Sequence, residues 1–114
     1  MRTKRLRWIL RVLRKAEPTD LPVVVRRASL DNLYRDDDNR PVDKPILLTG
    51  YCLARPTRYV IVVNTRLSAR AQEEVVLHEY AHAVAYPLQG ESRKLLHDRV
   101  WGICYARCWR HFGM

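Results

Sequence analysis

Apolar residues along this chain change their period several times, and each change marks an element. In residues 2–15, Leu6, Ile9, Leu10 and Leu13 fall at i, i+3, i+4 and i+7, the spacing of one helical face. Trp8 and Val12 flank that face, and Pro18 and Pro22 break the helix after it. Val23, Val24 and Val25 form a short β-branched run, read as a strand. Residues 36–41 are polar and read as a solvated loop. Their aspartates lack the spacing, the central Gly and the closing Glu of a calcium loop. Residues 46–53 read as one strand or hairpin arm, and Pro56 marks the turn that follows. Residues 59–64 open with five consecutive apolar positions rich in β-branched side chains, which predicts a strand buried on both faces. Ser68 offers an N-cap, and residues 69–85 run without Gly or Pro, so a helix is predicted there, stopped by Pro87 and Gly90. A last helix is predicted over about residues 92–111. Helix, strands, helix, helix is an α+β arrangement, a small sheet with helices packed on it.

Composition narrows what such a fold does. The chain has 114 residues, the size of one ordinary domain, and 47% of them are hydrophobic, enough for a packed core. There are 21 Lys+Arg against 12 Asp+Glu, a formal net charge of +9, which suggests polyanionic partners, nucleic acid above all, although many small basic domains bind none. Seven basic residues and no acid lie in residues 2–15. Arg2, Lys4, Arg5, Arg7, Arg11 and Arg14 are therefore the candidate nucleic-acid contacts, although the plainer reading is a first helix packed on the domain with a solvated basic face. Arg11 interrupts the apolar core that a secretory signal needs, while an Arg-rich, acid-poor segment also fits an organelle transit peptide. No apolar run approaches the roughly 18–20 residues of a membrane-spanning helix. Three cysteines cannot make a complete disulfide framework, which favours a reducing, cytoplasmic setting, and a monomer is expected.

The chemistry is concentrated in His78-Glu79-Tyr80-Ala81-His82, an H-E-x-x-H sequence inside the predicted helix. Four residues is just over one helical turn, so both imidazoles project from one face and can meet one Zn²⁺. Glu79 follows the first ligand closely enough to reach a water rather than the metal, which suits a general base. Catalytic zinc usually takes a third protein ligand. The extended pattern with a third His six residues on is absent, since position 85 is Ala and position 88 is Leu. Glu91, His97, Asp98 and His111 are the candidates. His97 is preferred, because the Pro87/Gly90 turn lets the chain reverse and present it at the start of the last helix. Tyr80 and Tyr86 flank the motif, and either could donate to an oxyanion. Cys104 and Cys108, with Trp101, Tyr105 and Phe112, fall on one helical stripe read as core, with a metal or redox pair as the alternative for the thiols.

His78-Glu79-Tyr80-Ala81-His82 followed by His97-Asp98-Arg99-Val100-Trp101 resembles the SprT-like (Spartan-type) zinc metallopeptidases of the H-E-x-x-H zincin class. That family joins an H-E-x-x-H helix to a third His with a bulky aromatic four residues later. The strand at 61–64 and Leu67 also look like its strand before the active helix. The likeness covers about residues 45–105. Asp98 stands where the family usually has Gly, and the sequence ends before the zinc ribbon that many members carry. The resemblance implies a small zincin-like fold, with residues 1–16 as a basic amphipathic helix and 45–114 as the catalytic part of a single domain. It implies Zn²⁺ held by His78, His82 and His97, Glu79 as general base, and peptide-bond hydrolysis, in some members on DNA-bound proteins. The strand at 60–64 is expected to hold an extended peptide at its edge. Two other readings stand beside it. One is a basic nucleic-acid-binding module with a structural or vestigial zinc, and the other is a regulatory zincin that cuts one repressor-type partner.

Overall fold

The computed structural model describes residues 3–30, 33–35, 40–46, 48–89 and 97–112. Arg2, Glu91 and the aspartates at 36–38 lie outside the described residues. The elements are α1 (Thr3–Ala16), β1 (Val23–Ala28), β2 (Leu33–Arg35), β3 (Pro41–Ile46), β4 (Gly50–Ala54), β5 (Tyr59–Asn64), α2 (Ala69–Ala85) and α3 (Arg99–Arg110). This is an α+β fold with a small mixed sheet, as the periodicities predict.

Strand β5 organises the sheet. It pairs parallel with β1, Val25 opposite Ile61, and antiparallel with β4, Cys52 opposite Ile61. The order is β1-β5-β4, and β2 and β3 form a separate antiparallel pair. All six residues of β5 are buried, which explains its unbroken apolar run. Tyr59, Ile61 and Val63 face a core shared with Leu6, Ile9, Leu10 and Leu13 of α1, Val76, Leu77 and Tyr80 of α2, and Cys104 and Cys108 of α3. The three cysteines are free and buried, so the core reading of the α3 stripe holds for its thiols. Burial pushes the thiols of Cys52 and Cys108 up to about 12.

Three expectations are corrected. Residues 46–53 are not one arm. β3 ends at Ile46 and β4 begins at Gly50, and Leu48 and Thr49 ahead of β4 are held by Asn64. The Asn64 side-chain amide donates to the Leu48 carbonyl at 2.8 Å, and its backbone N–H donates to the Thr49 carbonyl at 3.0 Å. Second, β5 has no free edge to offer a peptide, since β1 and β4 occupy both sides. Among the described residues, β1 and β4 are each paired on one side only and both touch α2, β4 the more extensively. Third, α3 begins at Arg99 rather than near 92. Its N-cap is Asp98, whose carboxylate accepts from the Trp101 backbone N–H at 3.0 Å.

Glu17 ties the helices together at the end of α1. Its carboxylate meets Arg107 at 2.8 Å and His111 at 3.1 Å, both at the C-terminal end of α3. Its backbone carbonyl accepts from the Tyr80 hydroxyl of α2 at 2.9 Å. The basic face of α1 is partly engaged. Arg5 pairs with Glu73 at 2.9 Å and lies over the Trp8 ring, and Arg14 donates to the Val23 carbonyl. Lys4, Arg7 and Arg11 are exposed.

Gly50 leaves no room for a side chain between β5 and α2. A Cβ there would stand 2.5 Å from the Val62 carbonyl oxygen and 2.6 Å from Val75 Cγ1. Backbone cannot yield as a flexible side chain does, so Gly50→Ala is expected to cost about 1–3 kcal/mol. Urea denaturation would read this as a lower midpoint at unchanged slope. An unchanged midpoint would show that β4 and α2 are not locked at this point.

Candidate metal centre

Ser68 caps α2 by accepting from the Ala71 backbone N–H at 3.2 Å, which fixes the helix start and hence the phase of every later residue. In that phase His78 and His82 stand one turn apart, their rings 5.2 Å between centroids. His97, in the segment just before α3, completes the group. Its Nε2 lies 2.9 Å from His78 Nε2 and 3.0 Å from His82 Nε2. All three potential donor nitrogens lie within 4.8 Å of one another.

Helix α3 sets the position of His97. The Asp98 cap that starts the helix also receives Gln89 Nε2 at 2.9 Å, which joins it to the turn after α2. Trp101 then lies among all three imidazoles, its ring 4.8 Å from His78, 5.4 Å from His82 and 4.7 Å from His97. Its indole N–H donates to the His78 carbonyl at 3.3 Å. Tyr105 stacks on Trp101 at 4.9 Å and meets the His78 ring edge-on at 5.6 Å.

The other candidates fall elsewhere. Asp98 is occupied as the α3 cap, and its hydrogen bonds from Trp101 and Gln89 hold its carboxyl below the usual range. His111 pairs with Glu17 at the far end of α3. Tyr80 is fully buried with its hydroxyl given to Glu17, so it cannot serve an oxyanion. Tyr86 packs edge-on against Tyr59 at 6.0 Å. The spacing argument assigned Trp101 and Tyr105 to the core. Both are half-buried against that core, and in addition they line the imidazole cluster.

The electrostatics favour uncharged imidazoles. Burial, then the neighbouring His97 and His78, push His82 down to about 3. Burial and His97 lower His78 as well. An uncharged imidazole is the form that binds metal. The single Nε2 of His97 faces two other ring nitrogens, and it has one lone pair or one proton, so it can satisfy only one of them by hydrogen bonding. A cation at the centre satisfies all three. The two spacings from His97 are also within a few tenths of an ångström of the roughly 3.3 Å edge of a tetrahedron with 2.0–2.1 Å bonds. The residues therefore fit a metal ion. Beside them Glu79 is buried, its Oε1 3.8 Å from His78 Nε2, and its Oε2 has no hydrogen bond to a described residue. Burial raises its carboxyl to about 7.

A family model described as the IrrE N-terminal-like domain, peptidase family M78, matches residues 19–99. The chain belongs to this family. The match runs from the segment before β1 through the H-E-x-x-H helix to His97 and Asp98. This M78 domain is thus of zincin-like metallopeptidase type, the level at which the SprT-like resemblance is supported. Comparison with curated proteins and with solved structures gives no match. Among the described residues no helix is long and apolar enough to cross a membrane.

One divalent ion per chain is the expected load of this centre. Elemental analysis after dialysis against Zn²⁺ should give about one equivalent for the unaltered chain. His97→Ala should weaken retention while leaving the helical circular dichroism in place. Full retention in a His78→Ala/His82→Ala double variant would show that these imidazoles are not the site.

Proposed function

We propose that this M78 domain is a zinc-dependent metalloendopeptidase, with His78, His82 and His97 as the metal ligands and Glu79 as the general base. The observation that carries the reading is the convergence of three imidazoles beside a buried carboxylate. Three imidazoles without a nearby thiolate suit zinc, and a three-residue set is typical of sites that leave a position open. A structural zinc usually closes its fourth position with Cys, and the cysteines of α3 are part of the core. When bound, the ion supplies a Lewis acid for the scissile carbonyl and lowers the pKa of water.

The chain's own residues do the rest. Glu79 takes the proton of the attacking water and returns it to the leaving amine. A carboxyl near 7 is suited to both transfers at neutral pH. Trp101 holds the three rings in orientation and closes the centre on the α3 side. The half-free strand β4, rather than β5, offers its edge to an extended peptide. The domain extends beyond the matched stretch, because α1 and α3 contribute to the same core.

The finer SprT-like reading, with DNA-associated proteins as substrates, is supported by the net charge of +9 and by Lys4, Arg7 and Arg11, exposed on α1. The mechanism is tested through Glu79→Gln, which keeps the shape of the side chain and removes the base. Zinc content and melting temperature should stay near those of the unaltered chain. Cleavage of a DNA-bound protein, followed with and without DNA, should fall by about 10²–10⁴-fold. Equal cleavage by the variant would overturn the mechanism, and loss of zinc would make Glu79 structural.

A further inference from the structure

The strand registers sort the side chains of the sheet onto two faces. Tyr59, Ile61 and Val63 of β5 turn to the core that α2 shares, so Val60 and Val62 turn to the opposite, outer face. Both are buried, yet neither belongs to the core. On that face Val62 stands between Arg26 of β1 and Tyr51 of β4, and Val60 stands between Val24 and Leu53. A hollow of about 550 Å³ lies there, with Val60, Val62 and Leu53 as its floor. None of its lining residues takes part in the imidazole cluster.

Charge distinguishes this hollow. Arg26, Arg55 and Arg58 line it, and no carboxylate does. All three arginines are exposed, and none of their guanidinium groups has an ion-pair or hydrogen-bond partner among the described residues. The turn between β4 and β5 sets two of them against each other. The Arg55 backbone N–H donates to the Arg58 carbonyl at 2.9 Å, so the two residues face one another across the turn. Like charges placed opposite one another cost stability, and a bound anion relieves that cost. Arg26 stands level with Val62, four residues along β5 from Arg58, or about 13 Å. Cationic groups thus stand at both ends of an apolar floor, with the Tyr51 ring at its side.

We propose that this outer face binds a single-stranded polynucleotide, with phosphates on Arg26, Arg55 and Arg58 and a base against Tyr51 and the aliphatic floor. A single strand presents phosphates and unstacked base faces side by side, and the hollow presents guanidinium groups and an aromatic, apolar surface side by side. A duplex hides its base faces, and a purely acidic peptide has none. The site is independent of the metal-centre reading, because the two share no residue. It also differs in kind from the exposed cations of α1, which offer charge to single and double strands alike.

Fluorescence anisotropy of a labelled oligothymidylate of about 12 nucleotides, titrated with the full chain at low salt, tests this. The single strand should bind more tightly than a duplex of the same length. The triple variant Arg26→Ala/Arg55→Ala/Arg58→Ala should lower the slope of log affinity against log salt by about 2, since each phosphate contact to a single strand contributes about 0.7. Tyr51→Ala should weaken the single strand by about 5–150-fold, and Tyr51→Phe, which keeps the ring, should restore its affinity. Lys4→Ala/Arg7→Ala/Arg11→Ala on α1 should weaken single strand and duplex alike, whereas the sheet variants should act chiefly on the single strand. The melting temperature of the triple variant should not fall, because all three side chains are exposed, and its zinc content should be unchanged. No binding at low salt, equal binding of the duplex, or full affinity and slope in the triple variant would overturn the proposal and leave the metal centre standing. Displacement by polyglutamate as effective as by unlabelled oligothymidylate would make this an acidic-peptide surface and overturn it as well.

Discussion

Helix α3 packs across α2 with Trp101 wedged among three imidazole rings, and this contact decides where the third nitrogen lies. Two histidines one turn apart come from the helix itself. The third comes from a segment distant in sequence, and only the docking of α3 brings it to 2.9 and 3.0 Å from the others. The docking is held at both ends. Asp98 starts the helix beside Gln89 of the preceding turn, and Glu17 of the first helix holds Arg107 and His111 at its far end. Cys104 and Cys108 fill the core between.

The same packing sets the charge state of the groups it encloses. Removing His78, His82 and Glu79 from water disfavours the ionised form of each, so the imidazoles are held neutral and the carboxyl is raised. Those directions hinder a structural salt-bridge role and suit a centre that binds a cation and moves protons. A metal ion held by these residues would be coupled to the fold for this reason. The ligands are arranged by burial that would otherwise leave ring nitrogens facing one another without enough donors.

Local signals were legible in the sequence and long-range ones were not. The Ser68 cap, the helix carrying His78 and His82, the buried strand at 59–64 and the amphipathic first helix follow from nearest-neighbour chemistry. The preference for His97 rested on the chain reversal after Pro87, and the structure places that residue with the other two histidines. The start of α3 was missed because periodicity was extended past a stronger local signal, an Asp at an N-cap position. At the break between β3 and β4, Leu48 and Thr49 are held by hydrogen bonds from Asn64, which no local pattern reveals. That Tyr80 faces Glu17, and that β5 is central rather than an edge, are facts of tertiary pairing. Tyr105 shares its stripe with core cysteines, and only the position of α3 shows that it reaches the His78 ring.

The central claim is that three imidazoles and no thiolate hold one zinc ion. X-ray absorption at the zinc edge of the loaded chain tests it directly. The account predicts a first shell of nitrogen or oxygen at about 2.0–2.1 Å, with the outer-shell pattern of three imidazole rings. A sulfur shell at about 2.3 Å, or the signature of only two imidazoles, would contradict it.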